Sequence, residues 1–307
     1  MVSRGPLILI LMVSLVLASC RSFDPVSLTP DPVLDPTTLP ETPTPAPDYV
    51  TRIRNAEYQL GLTDGLRIVQ LTDGRFEQGV SGGEDYISVN VTDFTARGDL
   101  NGDGFDEYAA MIAENYGGTG TFVFLAVFAD VEGKLKYQTS VLVDDRPLLN
   151  ELSIENGEVF LDATTHRSDE PMCCPTLRTE RHYRLIHNYL RMTDYVTFTP
   201  DGRPRTITIG SPADGTEVFR SVPIQGSVAI APFENNLVYR IFDLGGVELA
   251  IGSITVTAPD LGAPGTFDET ILLGNILSGA VIRIEVQDVS AEDGSLIAMD
   301  SVELVVK

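Results

Sequence analysis

From residue 66 onward, apolar and polar positions alternate in short runs broken by Gly, Asn and Asp, the pattern of strands that bury one face. Between residues 50 and 192 it predicts strands over 66–71, 86–91, 109–113, 121–128, 137–143, 152–154 and 158–163, with a last one around Tyr183, Leu185 and Ile186. Asn156-Gly157 sits where a two-residue hairpin turn is needed. Residues 50–60 mix Ile53, Ala56, Tyr58 and Leu60 with charge and read as a short helix or a strand, the helix being favoured. The expected fold is mainly β: an antiparallel-sheet (α+β) domain over 50–192.

A turn-rich segment near 193–205, with Pro200, Gly202 and Pro204, leads into a second region over 193–307. There the predicted strands lie at 207–209, 222–228, 237–243, 249–257, 265–273, 281–288 and 298–306, a spacing that suits a β-sandwich. Tyr239 and Ile241, and Ile282, Ile284 and Val286, are expected inside, with Arg283 and Glu285 facing water.

The first 49 residues follow neither pattern. Arg4 precedes an apolar run from 7 to 17 interrupted only by Ser14, and Leu17-Ala18-Ser19-Cys20 closes it. A charged start, an apolar stretch of about eleven residues and small residues before a cleavage point make a signal peptide over 1–19, too short to span a bilayer, which takes ~20. The last four residues resemble the lipobox of bacterial lipoproteins. That resemblance implies cleavage before Cys20 and lipidation of Cys20, and Arg21 after it favours an outer membrane where one exists. Residues 20–49 then carry eight prolines, from Pro25 to Pro47, and are expected to be an extended tether of up to ~3.1 Å per residue. The expected location is the cell envelope, on the extracytoplasmic face.

Charge narrows the function. Forty-four acidic against 21 basic residues give a net charge of -23, spread along the chain without a basic patch. Nucleic acid and anionic lipid surfaces are poor partners for such a chain. The three histidines and three cysteines leave few carriers for nucleophilic or metal chemistry, and no G-x-S-x-G or H-E-x-x-H occurs.

The sharpest local motif is residues 99–107, Asp-Leu-Asn-Gly-Asp-Gly-Phe-Asp-Glu. Side-chain oxygens at positions one, three and five with glycine at six match most of a calcium loop. Asp99, Asn101 and Asp103, the Phe105 carbonyl and Glu107 would hold a structural Ca²⁺. Ala110 stands at position twelve, where an EF-hand needs its bidentate glutamate. The alternative is an acidic turn closed by its own Asx hydrogen bonds, without metal. Gly117-Gly118-Thr119-Gly120-Thr121 lacks the lysine of a phosphate-binding loop and reads as a turn. Cys173 and Cys174 are adjacent, and in an oxidising compartment are expected as a vicinal disulfide or as a pair of buried thiols beside a loop.

Two resemblances extend this reading. The 99–104 loop, the Gly117–Phe122 segment, Asp145-Arg146 and Cys173-Cys174-Pro175 together resemble an uncharacterised domain of exported bacterial lipoproteins, which implies no known activity. Ser211-Pro212 with Gly215, 222–227, Phe233-Glu234-Asn235, 243–246, Gly265-Thr266-Phe267 and 288–294 resemble, in order, the immunoglobulin-like domain of bacterial spore germination proteins. It implies a sandwich with a binding or spacer role, Phe233 in the core and Glu234 bonding a loop, with contact to a glycan or peptide as the alternative use of Glu234. The expected function is a lipid-anchored, non-enzymatic binding or envelope-structural protein, with an envelope protein or glycan as partner. Its rival is a cell-envelope hydrolase using the N-terminal carboxylates Asp106, Glu107 and Glu114.

Overall fold

A computed structural model describes residues 48–63 and 66–307; the leader, Cys20 and the tether lie outside them. The N-terminal region opens with α1 (Tyr49–Ile53), β1 (Glu57–Gln59) and β2 (Ile68–Gln70). It continues with β3 (Arg75–Gln78), β4 (Ile87–Gly98), β5 (Glu107–Asn115), β6 (Phe122–Val131) and β7 (Lys134–Asp145). β8 (Leu148–Glu155), β9 (Glu158–Thr165), β10 (Leu177–Ile186) and β11 (Tyr189–Phe198) complete it. Strands β3 to β7 form one antiparallel meander and β8 to β11 a second.

The short helix is real but ends at Ile53, capped by Asp48, whose carboxylate accepts from Thr51 N at 2.8 Å. β1 follows it and pairs with β2, and together they cover one face of the five-stranded sheet. On that side Tyr108, Ala110 and Ile112 of β5 pack against Ile53, Tyr58 and Leu60. On the other side Ala109 and Met111 pack with Val123, Leu125, Leu161 and Tyr183, between the two meanders. β5 is thus buried on both faces, which is why its sequence shows an unbroken apolar run in place of alternation. The fully buried Leu, Ile and Met side chains among these, such as Ile53, Ile112, Met111, Leu125 and Leu161, each contribute roughly 1.5–3 kcal/mol of hydrophobic stabilisation. At the expected hairpin, Asn156 (φ 54°) and Gly157 (φ 80°) both take the left-handed conformation that a type I′ turn demands.

The C-terminal region is an immunoglobulin-like β-sandwich. Its strands are β12 (Pro204–Arg205), β13 (Ile207–Ser211), β14 (Thr216–Val218), β15 (Ser221–Val228) and β16 (Asn236–Asp243). β17 (Glu248–Thr257), β18 (Gly265–Leu272), β19 (Val281–Val289) and β20 (Leu296–Val306) follow. The hydrogen-bonded order is β13-β15-β18-β17-β16-β19-β20, and β17 passes between the layers by pairing first with β16 and then, at Val256 and Thr257, with β18. Ile224, Leu237, Ile241, Ile254, Ile282 and Ile284 fill the interior.

The two regions share a sheet. The free edge of β20 pairs with β11, Asp194 opposite Asp300, Tyr195 opposite Met299 and Val196 opposite Ala298. The second meander therefore continues the outer layer of the sandwich, and the described residues belong to one compact unit. This corrects one expectation. Ile282, Ile284 and Val286 are buried as predicted, but Arg283 and Glu285 are buried as well. Their face of β19 is covered by the N-terminal region, where Arg283 donates to the Met192 carbonyl at 3.0 Å and pairs with Glu285 at 2.5 Å.

Candidate functional site

The 99–107 loop joins β4 to β5 and is closed by its own side chains. Gly102 N and Gly104 N donate to the two carboxylate oxygens of Asp99 at 2.7 and 2.9 Å. Asp103 N donates to Asn101 Oδ1 at 2.9 Å, and Phe105 N to Asp103 Oδ1 at 2.8 Å. Gly102 (φ 76°) and Gly104 (φ 86°) supply the two left-handed steps of the reversal. Glu107 lies beneath, accepting from Leu100 N and Asn101 Nδ2 at 2.9 and 3.0 Å. Burial raises the Glu107 pKa, and the backbone N–H of Gly104 leads those that lower that of Asp99. Among the described residues no three His, Cys, Asp or Glu side chains form a metal-holding group.

The carboxylates of the hydrolase reading do not share a site. Glu107 and Glu114 stand at opposite ends of β5, about 23 Å apart at ~3.3 Å per residue. Glu114 is fully buried and accepts from Tyr58 Oη at 2.6 Å, from Gly61 N at 2.9 Å and from Tyr116 Oη, a brace between the layers. Asp106 pairs with Arg97 on the surface at 3.8 Å.

Cys173 and Cys174 form a disulfide across 3.8 Å between Cα atoms, in the loop from β9 to β10. Glu170 ties that loop by accepting from Arg167 N and Thr176 N, both at 3.1 Å. Glu234 is exposed in a turn over Phe233–Asn235, at φ 56°. Phe233 is not in the core as expected: it is 64% exposed. The left-handed steps at Glu234 and Asn235 leave its ring outside, and Ala231 and Leu237 on either side are the buried residues.

A cluster of polar side chains outside the sequence-predicted sites lies on the two faces of the β11·β20 junction. Side chains alternate along β11, so Asp194 and Tyr195 face opposite clefts. The Tyr195 face opens on a cleft of about 420 Å³. There His166 turns its backbone N–H and its ring Nδ1 to Asp144 Oδ2 at 2.7 and 3.0 Å, while its buried Nε2 has no partner.

The Asp194 face opens on a cleft of about 490 Å³ lined by Glu158, His182, Arg184, Asp194, Asp214 and Asp300, among others. Arg184 donates to Glu158 Oε1 at 2.8 Å and to Asp214 Oδ2 at 2.6 Å. His182 Nδ1 is 3.2 Å from Glu158 Oε2, a contact that raises the histidine pKa and lowers that of Glu158. Asp300 accepts from Ile209 N and Ser301 N, both at 2.7 Å, yet burial still raises its pKa. Burial, with Asp300 opposite, pushes Asp194 up to about 7. These residues come from β9, β10, β11, β20 and the loop before β14, so no local motif announces them. The only trace in the sequence is a charge inside an apolar strand, Asp194 before Tyr195-Val196 and Asp300 after Ala298-Met299.

Residues 206–295 match a family described as the immunoglobulin-like domain of bacterial spore germination. The match begins beside β13 and ends just before β20, so it covers the sandwich without the strand that joins it to the N-terminal region. A search of the curated proteins finds no match to the chain.

Proposed function

We propose that this chain is a lipid-anchored extracytoplasmic protein that works by binding or bracing other envelope components, without catalysis of its own. The leader ending in Cys20 and the proline tether supply the anchor and the reach, and Arg21 favours the outer membrane of a two-membrane cell. The observation that carries the reading is the junction. An immunoglobulin-like sandwich, a module suited to binding or spacing, is extended edge to edge by a second sheet, and clefts open on both sides of the seam. The partner is an envelope protein or glycan. Glu234, exposed in its turn, is a second contact point for such a partner. A structural Ca²⁺ in the 99–107 loop belongs to the same reading: Asp99, Asn101, Asp103, the Phe105 carbonyl and Glu107 would hold it and stiffen the entry to β5.

Photo-crosslinking in the native envelope tests this. A crosslinker at Ala213, on the rim of the Asp194 cleft, is expected to give a discrete adduct by mass, whatever its chemical class. The comparison position is Leu277, 78% exposed and outside both clefts. Identical adducts from both positions, or none from either, would rule the reading out.

A further inference from the structure

We infer that the Asp194 cleft is a binding site for a cationic nitrogen group, an ammonium or a guanidinium. Its own cations are already engaged. Arg184 is shared between Glu158 and Asp214, and His182 is held by Glu158. Asp300 is stabilised by two backbone N–H groups. Among the described residues nothing donates a hydrogen bond to Asp194, which faces Asp300 directly across the strand pair. Two carboxylates half out of water, one of them without any donor, leave a negative potential that the fold does not neutralise.

A second observation points to the same ligand. β11 carries an irregularity opposite His182 and Tyr183: Met192 pairs with Tyr183 and Asp194 with His182, which leaves Thr193 as the extra residue. Such a bulge re-aims side chains, and here Thr193 joins Asp194 in lining the cleft. Thr193 is only 6% exposed, and its Oγ1 has no hydrogen-bond partner. Burying a hydroxyl without a partner is costly, because its water hydrogen bonds are lost and not replaced. An ammonium brings several N–H donors at once and satisfies the carboxylates and this hydroxyl together. A metal ion suits the site less well, because no three acidic, His or Cys side chains among the described residues converge closely enough to hold one. The cleft, at about 490 Å³, admits an aminoalkyl chain or the end of a lysine or arginine side chain.

The inference rests on the reading of the chain as a binding protein and is independent of its anchor. It is tested by titrating the folded chain, with ¹³C-labelled aspartate carboxyls, with n-butylammonium, with agmatine and with n-butanol as the uncharged control. The expected result is saturable binding of both cations at about pH 8, a lowered Asp194 titration midpoint, and no response to butanol. At about pH 5.5 affinity should fall more than tenfold, because Asp194 is then almost wholly protonated. The other charges facing the site are Glu158, Glu180, His182, Arg184, Asp214 and Asp300, and protonation of His182 acts in the same direction. Asp194→Asn should abolish binding, and Thr193→Val, which keeps the charge and the volume, should weaken it several-fold. Tighter binding of a trilysine peptide than of butylammonium would identify a basic protein segment as the natural source, and the reverse a small amine. Equal responses to butanol and butylammonium, or unchanged affinity in both variants, would overturn the site. A crosslink at Ala213 without any amine response would remove the cation and leave the binding protein. Amine binding with no envelope adduct would do the opposite.

Discussion

At the scale of single residues, the most consequential group is Asp194. Its pKa of about 7 in the folded chain stands above an ordinary carboxylate value near 3.9 in the unfolded one. Between those two values the native state holds more protons, so stability falls as pH rises through that window and levels off above it. The penalty is complete above about pH 7 and absent below about pH 4. Asp194→Asn should therefore be more stable than the parent at about pH 8, by about 1–2 kcal/mol once solvent screening of a partly exposed pair is allowed for, and the gap should close on acidification to about pH 4. Urea unfolding at both pH values checks this; a gap that does not change with pH would contradict it. Residue-scale reading of the sequence succeeded where burial follows from alternation, as at Ile282, Ile284 and Val286. It failed at Arg283 and Glu285, since a charged residue in a strand looks solvated until the element covering it is known. It failed at Phe233 because a local turn decides where that ring goes.

At the scale of elements, most strands were legible, and the reason is physical. A sandwich buries one face of most strands, so a period of two survives in strands such as β15 and β18, whereas β19 is buried on both faces. β11 was harder. Its last residues read as a boundary, whereas it forms a strand over Tyr189–Phe198 that carries an irregularity at Thr193 and joins the two regions. Nothing in a single strand's pattern states which distant edge it will pair with, so the clefts beside that pairing were invisible. The 99–107 loop was legible as a turn, and the Asx hydrogen bonds of the metal-free alternative are present. Its calcium is a proposal with a direct test. With a dissociation constant of roughly 10⁻⁴ to 10⁻³ M, as for extracellular calcium modules, about 10 mM Ca²⁺ would add ~1.4–2.7 kcal/mol. The melting midpoint should rise by a few degrees and return on chelation, and Asp99→Ala/Asp103→Ala should lose the response. An unchanged midpoint in the parent protein would dismiss the metal.

At the scale of the whole molecule, the chain pairs a strongly acidic composition with a start whose Leu17-Ala18-Ser19-Cys20 resembles a lipobox. A net charge of -23 without a basic patch gives the body no electrostatic hold on an anionic membrane. No helix among the described residues is long and apolar enough to cross a bilayer. On the proposed reading, lipid on Cys20 would hold the protein at the envelope surface, because several acyl chains at ~0.8 kcal/mol per buried CH₂ make an anchor that does not readily dissociate. On the same reading the proline-rich segment would set the distance at which the junction clefts meet a partner. Membrane fractionation with intact-mass analysis of the parent chain and of Cys20→Ser tests this most directly. The account predicts a parent that pellets with membranes and carries a mature N-terminus at Cys20 with the added mass of acyl chains, and a variant that leaves the membrane fraction. A parent that begins elsewhere without lipid, or a Cys20→Ser variant that still pellets, would contradict it.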